Sequence, residues 1–210
     1  MRNYLTVGLF ILAALTFSCA DPAANKPKAT VGNAAPESAT NPAAGEKLVI
    51  SPDNSKVEFV AAKVTRSHNG SFKQFTGAIE LVNNSIESSR VSIEIDTASV
   101  VADDDQLTAH LKTPDFFDIA KYPKARFVST KIAPGAQAGA YEVTGNFELH
   151  GVTKSIAFPA TIQVASDSVS VNAEFSINRK DFGLVYAGKA DDLIRDGVVI
   201  KLTVKAPRSK

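Results

Sequence analysis

Between Lys47 and Pro207 the chain alternates apolar and polar residues with a period of two, and this pattern constrains its fold more than any other feature. Successive side chains of a strand point to opposite faces, so such a stretch buries one face and wets the other. Val169, Val171, Ala173, Phe175 and Ile177 alternate with Ser168, Ser170, Asn172, Glu174 and Ser176. Val91, Ile93 and Ile95 alternate with Ser92, Glu94 and Asp96. Val198, Ile200, Leu202 and Val204 leave Lys201, Thr203 and Lys205 on the opposite face. Ile156 to Val164 repeats the pattern, with Pro159 on its polar face as the mark of an edge or a bulge. Weaker alternation over 56–65, 71–82, 124–133 and 140–150 brings the count to eight strands.

Asn69-Gly70, Asn83-Asn84, Pro134-Gly135 with Gly139, His150-Gly151 and Asp167 read as the turns between these runs. One segment breaks the rhythm. Ser99 to Lys112 carries Asp103, Asp104 and Asp105, then Leu107 and Leu111, the pattern of a short helix whose acidic first turn complements its dipole. Pro114 stops it, and an aromatic-rich helical turn or loop from Asp115 to Pro123 follows. The fold class is all-β, with one short helix between strands 3 and 4. Eight antiparallel strands can close as a barrel, which removes unpaired edges, or stack as two four-stranded sheets. Periodicity alone does not separate the two.

Residues 1–18 read as an export signal: Arg2 precedes an uncharged apolar run from Tyr4 to Phe17, too short to span a bilayer comfortably. Cys19, the only cysteine, stands where such a run ends and resembles the acylated cysteine of bacterial lipoproteins. Residues 19–46 hold four prolines, nine alanines and Val31 as the only larger aliphatic residue. That composition buries too little surface to offset its ordering entropy, which predicts a disordered tether. The folded domain is expected over 47–207, anchored to a membrane of the bacterial cell envelope, periplasmic or at the surface, through acylated Cys19.

Several functions are disfavoured. With 23 Lys+Arg against 22 Asp+Glu there is no basic excess to neutralise phosphates, so no nucleic-acid partner is expected. G-x-S-x-G, P-loop, H-E-x-x-H and G-x-G-x-x-G patterns are all missing. His68, His110 and His150 stand 42 and 40 residues apart with no local ligand spacing, so neither a metal nor a cofactor is predicted. With Cys19 consumed at the terminus, no thiol nucleophile remains. The expectation is a binding protein and not an enzyme. A homodimer is left open.

Four segments together resemble the YceI-like family of exported bacterial proteins: Ser55 to Leu81, His110 to Ile132, Tyr141 to Ile162, and Phe175 to Leu184 with the closing strand from Asp196 to Ala206. The second, HLKTPDFFDIAKYPKARFVSTKI, is the most specific. The resemblance implies an extended, lipocalin-like eight-stranded antiparallel barrel that binds long amphiphilic isoprenoids, such as polyprenyl phosphates or quinones, without catalysis. Asn54-Ser55 stands where the family often has His-Ser, and Lys63 where a second His is common.

A barrel of this size either fills with side chains or holds one slender ligand. The candidate lumen residues are Phe59, Phe72, Phe75, Ile93, Phe127, Phe147, Phe175 and Ile177, with Phe116 and Phe117 as a plug or portal. His68, Asn69 and Arg179 are head-group candidates; a salt bridge from Arg179 to Asp181 or Asp115 is the structural alternative. Two readings follow: a lipid carrier or store, or an interaction lipoprotein whose barrel is filled.

Overall fold

The computed structural model describes residues 20–36 and 45–208. The strands in the first half are β1 (Thr30–Asn33), β2 (Glu46–Ile50), β3 (Ser55–Ala62), β4 (Ser67–Phe72), β5 (Phe75–Val82), β6 (Ser85–Asp96) and β7 (Val100–Ala102). The helix α1 (Asp105–Leu111) follows. Then come β8 (Lys124–Pro134), β9 (Ala140–Leu149), β10 (Val152–Val164), β11 (Ser168–Asn178), the small hairpin β12 (Gly188–Lys189) and β13 (Asp192–Leu193), and β14 (Gly197–Pro207). All ladders between these strands are antiparallel.

The eight alternating runs of the sequence are β3, β5, β6, β8, β9, β10, β11 and β14, but the curled sheet they belong to has twelve strands, because β1, β2, β4 and β7 pair into it as well. Its order runs β2-β5-β6-β8-β9-β10-β11-β14-β3-β4-β7. The two flanks meet at a corner of the chain: β2 pairs with β5, and after the turn Ser51–Asn54 the chain continues as β3 against β14. There the N–H of Lys205 donates to the Asn54 carbonyl. Leu48, Ile50, Ile79, Val169 and Phe182 are almost fully enclosed in the resulting core.

Two turns take the form the sequence demands. Asn83 and Asn84, at φ 51° and 58°, form the two-residue link from β5 to β6, and His150-Gly151, at 52° and 73°, links β9 to β10. Positive φ at both positions matches the right-handed twist of the flanking strands. Asn69-Gly70 departs from expectation, because both residues lie inside β4. Gly70 pairs with Phe59, and a Cβ there would fall 2.1 Å from the Phe59 ring, so this glycine serves ring packing and not a turn.

Three further differences have local causes. The run 71–82 is split, because the amides of Lys73 and Gln74 leave the ladder to bond the Ser99 carbonyl and hydroxyl. The expected helix begins only at Asp105: Val100–Ala102 instead pair as β7 with Gly70–Phe72, and Asp104 caps the helix by accepting from the Leu107 N–H at 2.8 Å. The third concerns residues 19–46, expected as a disordered tether. Within the described part of that stretch, Thr30–Asn33 pair with Lys154–Ala157 of β10, Ala29 is buried, and Val31 packs on the core. Backbone pairing does not need a large apolar face, and composition alone is blind to it. Cys19 and the signal segment 1–18 lie outside the described residues.

Candidate functional site

The inward residues of the wall do not fill it. They enclose an apolar cavity of about 80 Å³ bordered by residues of β3, β4, β6, β8, β9, β10, β11 and β14. Seven of the ten expected lumen residues border it: Phe59, Phe72, Ile93, Phe127, Phe147, Phe175 and Ile177. Val57, Ile95, Ile156, Phe158, Ile200 and Leu202 complete the apolar lining. Those six share the same alternation and were legible by it. Glu58 is the one ionisable residue on this border, and alternation with Val57 and Phe59 assigns its side chain to the outer face.

Aromatic rings set the cavity's shape. Phe158 and Phe175 stack in parallel at 4.1 Å across β10 and β11, and Phe127 meets Phe158 at 5.6 Å. At the other side Phe72 touches Phe59 at 5.9 Å and Phe117 at 5.6 Å. Gly145 makes room for Phe127, since a Cβ there would sit 2.5 Å from its ring. Ligand pockets commonly reach about 300–1,000 Å³, so this closed form admits only a few carbons. A longer chain requires the lining rings to rotate.

Three expected lumen residues lie elsewhere. Phe75 is buried in the main core beside Ile95 and does not border the cavity. Phe117 packs at the junction of two clusters, behind Phe72. Phe116 joins a second buried cluster with Phe59, Val100, Ala102 and Leu111, and its ring meets His110 at 4.9 Å and Tyr186 at 5.4 Å. That second cluster forms a layer between the cavity and an outer cleft of about 500 Å³.

The cleft is rimmed by charge: Lys63, Arg66 and Lys189 alongside Asp104 and Asp192, with His68 and His110. His68 therefore borders a polar opening, where its Nδ1 lies 2.8 Å from Asp103 Oδ1. Asn69 donates its backbone N–H to Asp103 Oδ2 at 2.9 Å, and that bond holds the Asp103 carboxyl below the usual carboxylate range. The Thr65 hydroxyl, 2.9 Å from Asp192, and the Lys63 ammonium lower the Asp192 carboxyl likewise. Lys63 and Arg66 come from the β3–β4 loop, Tyr186 and Lys189 from the segment that leads into and includes β12, and no sequence pattern groups the two pairs.

Arg179 is not at the rim. It is 4% exposed, and its guanidinium donates to the carbonyls of Leu184, Ile194 and Arg195 and to Asp196 Oδ1. It clamps the loop carrying β12 and β13 onto the barrel, with Asp196 as its ionic partner in place of the expected Asp181 or Asp115. Burial pushes its pKa down and Asp196 opposes that shift. Among the described residues no group of three or more His, Cys, Asp or Glu side chains is placed to hold a metal ion.

A curled antiparallel β-barrel with an apolar, incompletely filled interior is the class these features define. Residues 48–206 match the YceI-like domain, and the chain belongs to that family. A UPF0312 protein of Pseudomonas putida strain W619 is 34% identical over 122 residues, covering 55% of this chain and 63% of that protein's length. A UPF0312 protein of Pseudomonas fluorescens strain SBW25 is 30% identical over 132 residues, 60% of this chain and 68% of its own. Among solved structures, BcnA of Burkholderia cenocepacia superposes with a TM-score of 0.68 at 27% identity, covering 75% of this chain and 99% of its own. A polyisoprenoid binding domain from Saccharophagus degradans shares the fold, with a TM-score of 0.62 at 18% identity over 77% of this chain and 99% of its own.

Proposed function

We propose that the chain is an envelope lipoprotein, tethered through acylated Cys19, that binds a long-chain isoprenoid or similar amphiphilic lipid in its lumen as a carrier or store. One observation carries the reading: the cavity border is apolar except for Glu58, which strand alternation assigns to the outer face. Burying one five-carbon isoprene unit gains at most roughly 4 kcal/mol, at about 0.8 kcal/mol per carbon. A few units therefore dominate affinity without a precise polar constellation. The charged cleft beside the Phe59–Phe116 layer suits the polar end of such a molecule, with His68, Lys63 and Arg66 within reach of an anion. One solved domain of the same fold is described as polyisoprenoid binding, and that is consistent with this ligand class.

The test uses two cavity variants. Ile200 and Leu202 are only partly buried because they face the void. Leu202→Phe narrows that space and should weaken lipid binding while leaving the melting temperature unchanged or raised. Ile200→Ala should enlarge the cavity and admit more ligand at a stability cost of about 2–4 kcal/mol. Native mass spectrometry of protein from its own source, together with retinol titration of both variants, reads the result. Absence of lipid from the parent, and of retinol binding by every form, favours the filled-barrel interaction protein.

A further inference from the structure

The wall of the barrel has a lateral gap, and the chain's own N-terminal arm closes it. β10 pairs with β9 from Val152 to Thr161, and β11 pairs with β14 along its whole length from Ser168 to Asn178. Yet β10 and β11 pair with each other only over Thr161–Val164 against Val169–Asn172. Pro159, which has no N–H to give a ladder, stands where the pairing lapses. Beyond it the arm enters. Thr30–Asn33 take over β10 at Lys154–Ala157, while the Ala29 N–H donates to the Ser176 carbonyl and the Ser176 N–H to the Pro27 carbonyl, both at 2.8 Å.

Directly behind this insertion lies the cavity. Ile156 and Phe158 of β10 and Phe175 and Ile177 of β11 border it, and Ala29 and Val31 pack on the same core. The arm's inner face thus packs against the core formed by the strands that wall the cavity, without itself bordering it. Its outer attachments are light: Lys26 to Glu174 at 2.8 Å, Asp21 to Arg195 at 3.7 Å, and the Asn146 side chain, which accepts from the Ala35 N–H and donates to its carbonyl. A four-residue strand with half-exposed ion pairs belongs to the low-stability end of a structure, which opens locally without global unfolding. It also precedes the matched family region 48–206.

We propose that residues 21–35 act as a strand latch, and that the ligand passes between β10 and β11 when the latch lifts. The inference rests on the lipid-binding reading above. A side opening lets a long chain slip in along its length, so that a charged head never crosses the apolar lumen.

Two full-chain variants test it away from the cavity lining. Lys26→Glu sets like charges against Glu174, and Asn146→Ala frees Ala35. The probe is retinol, a fluorescent twenty-carbon isoprenoid, followed by stopped flow. Each variant should raise retinol association and dissociation rates by about tenfold while Kd changes less than threefold. Hydrogen exchange of the parent should show the amides of Ala29, Val31 and Ser176 opening at least a hundredfold faster than those of β9. Unchanged rates in variants that bind retinol, or exchange of the arm only with global unfolding, overturn the latch and leave the lipid-binding reading standing. Failure of every form to bind retinol overturns that reading and the latch with it.

Discussion

Arg179 illustrates how a charge can be structural when it looks functional. From its place before Asp181-Phe182-Gly183 it reads as a rim residue, but its guanidinium ends on three carbonyls and a carboxylate beneath the β12–β13 loop. Buried carbonyls left without a donor cost about 1–3 kcal/mol each. Arg179→Met should therefore destabilise the domain by about 3 kcal/mol or more, measured by urea denaturation. Asp196 keeps a partner in that variant, because the Lys180 ammonium lies 3.0 Å from it. A loss below 1 kcal/mol would show that the loop does not depend on this clamp. Phe59 and Gly70 make a related point: the glycine is fixed by the ring of its cross-strand neighbour, a reason invisible along the chain.

The corner between β4 and α1 is an element held by one carboxylate. Asp103 accepts from the Asn69 N–H, meets His68 Nδ1, and returns its own N–H to the Asn69 carbonyl at 3.0 Å. Its folded pKa is lowered, so its contribution is fully present above the unfolded carboxylate value of about 4 and is lost as pH falls through the folded value. The parent should lose more stability than Asp103→Asn between pH 7 and pH 3, as judged by denaturation midpoints at each pH. Equal acid limbs would remove Asp103 from the account. The N-terminal arm is the element composition misjudged: four residues of backbone pairing and one buried alanine place it against β10 despite its polar, proline-rich surroundings.

For the whole molecule, the proposal joins an anchor to a barrel. Several acyl chains at about 0.8 kcal/mol per buried CH₂ give an effectively permanent attachment, so Cys19→Ser should release the protein from the envelope. A Ser variant that still sediments with membranes after a high-salt wash would overturn the anchor. Because the arm bridges to Ser176 of β11 at Lys28 and pairs with β10 from Thr30, the span between anchor and barrel is shorter than a tether of 19–46 would provide. The acylated form should thus hold the barrel close to the bilayer.

Strand identity was legible in the sequence because period-two alternation is a local property: the eight runs appear in the fold as eight of the twelve strands of the sheet, and the four short strands β1, β2, β4 and β7 escape that count. Most of the cavity border was legible for the same reason, since inward positions of those strands converge once the sheet curls. Which inward residues face a void was not. Phe75 and Phe175 share the same pattern, yet one sits in packed core and the other borders the cavity. The charged cleft, the Arg179 clamp and the arm in the β10–β11 gap depend on groups far apart in the chain. Only tertiary packing brings such groups together, because their hydrogen bonds and steric fits carry no sequence period.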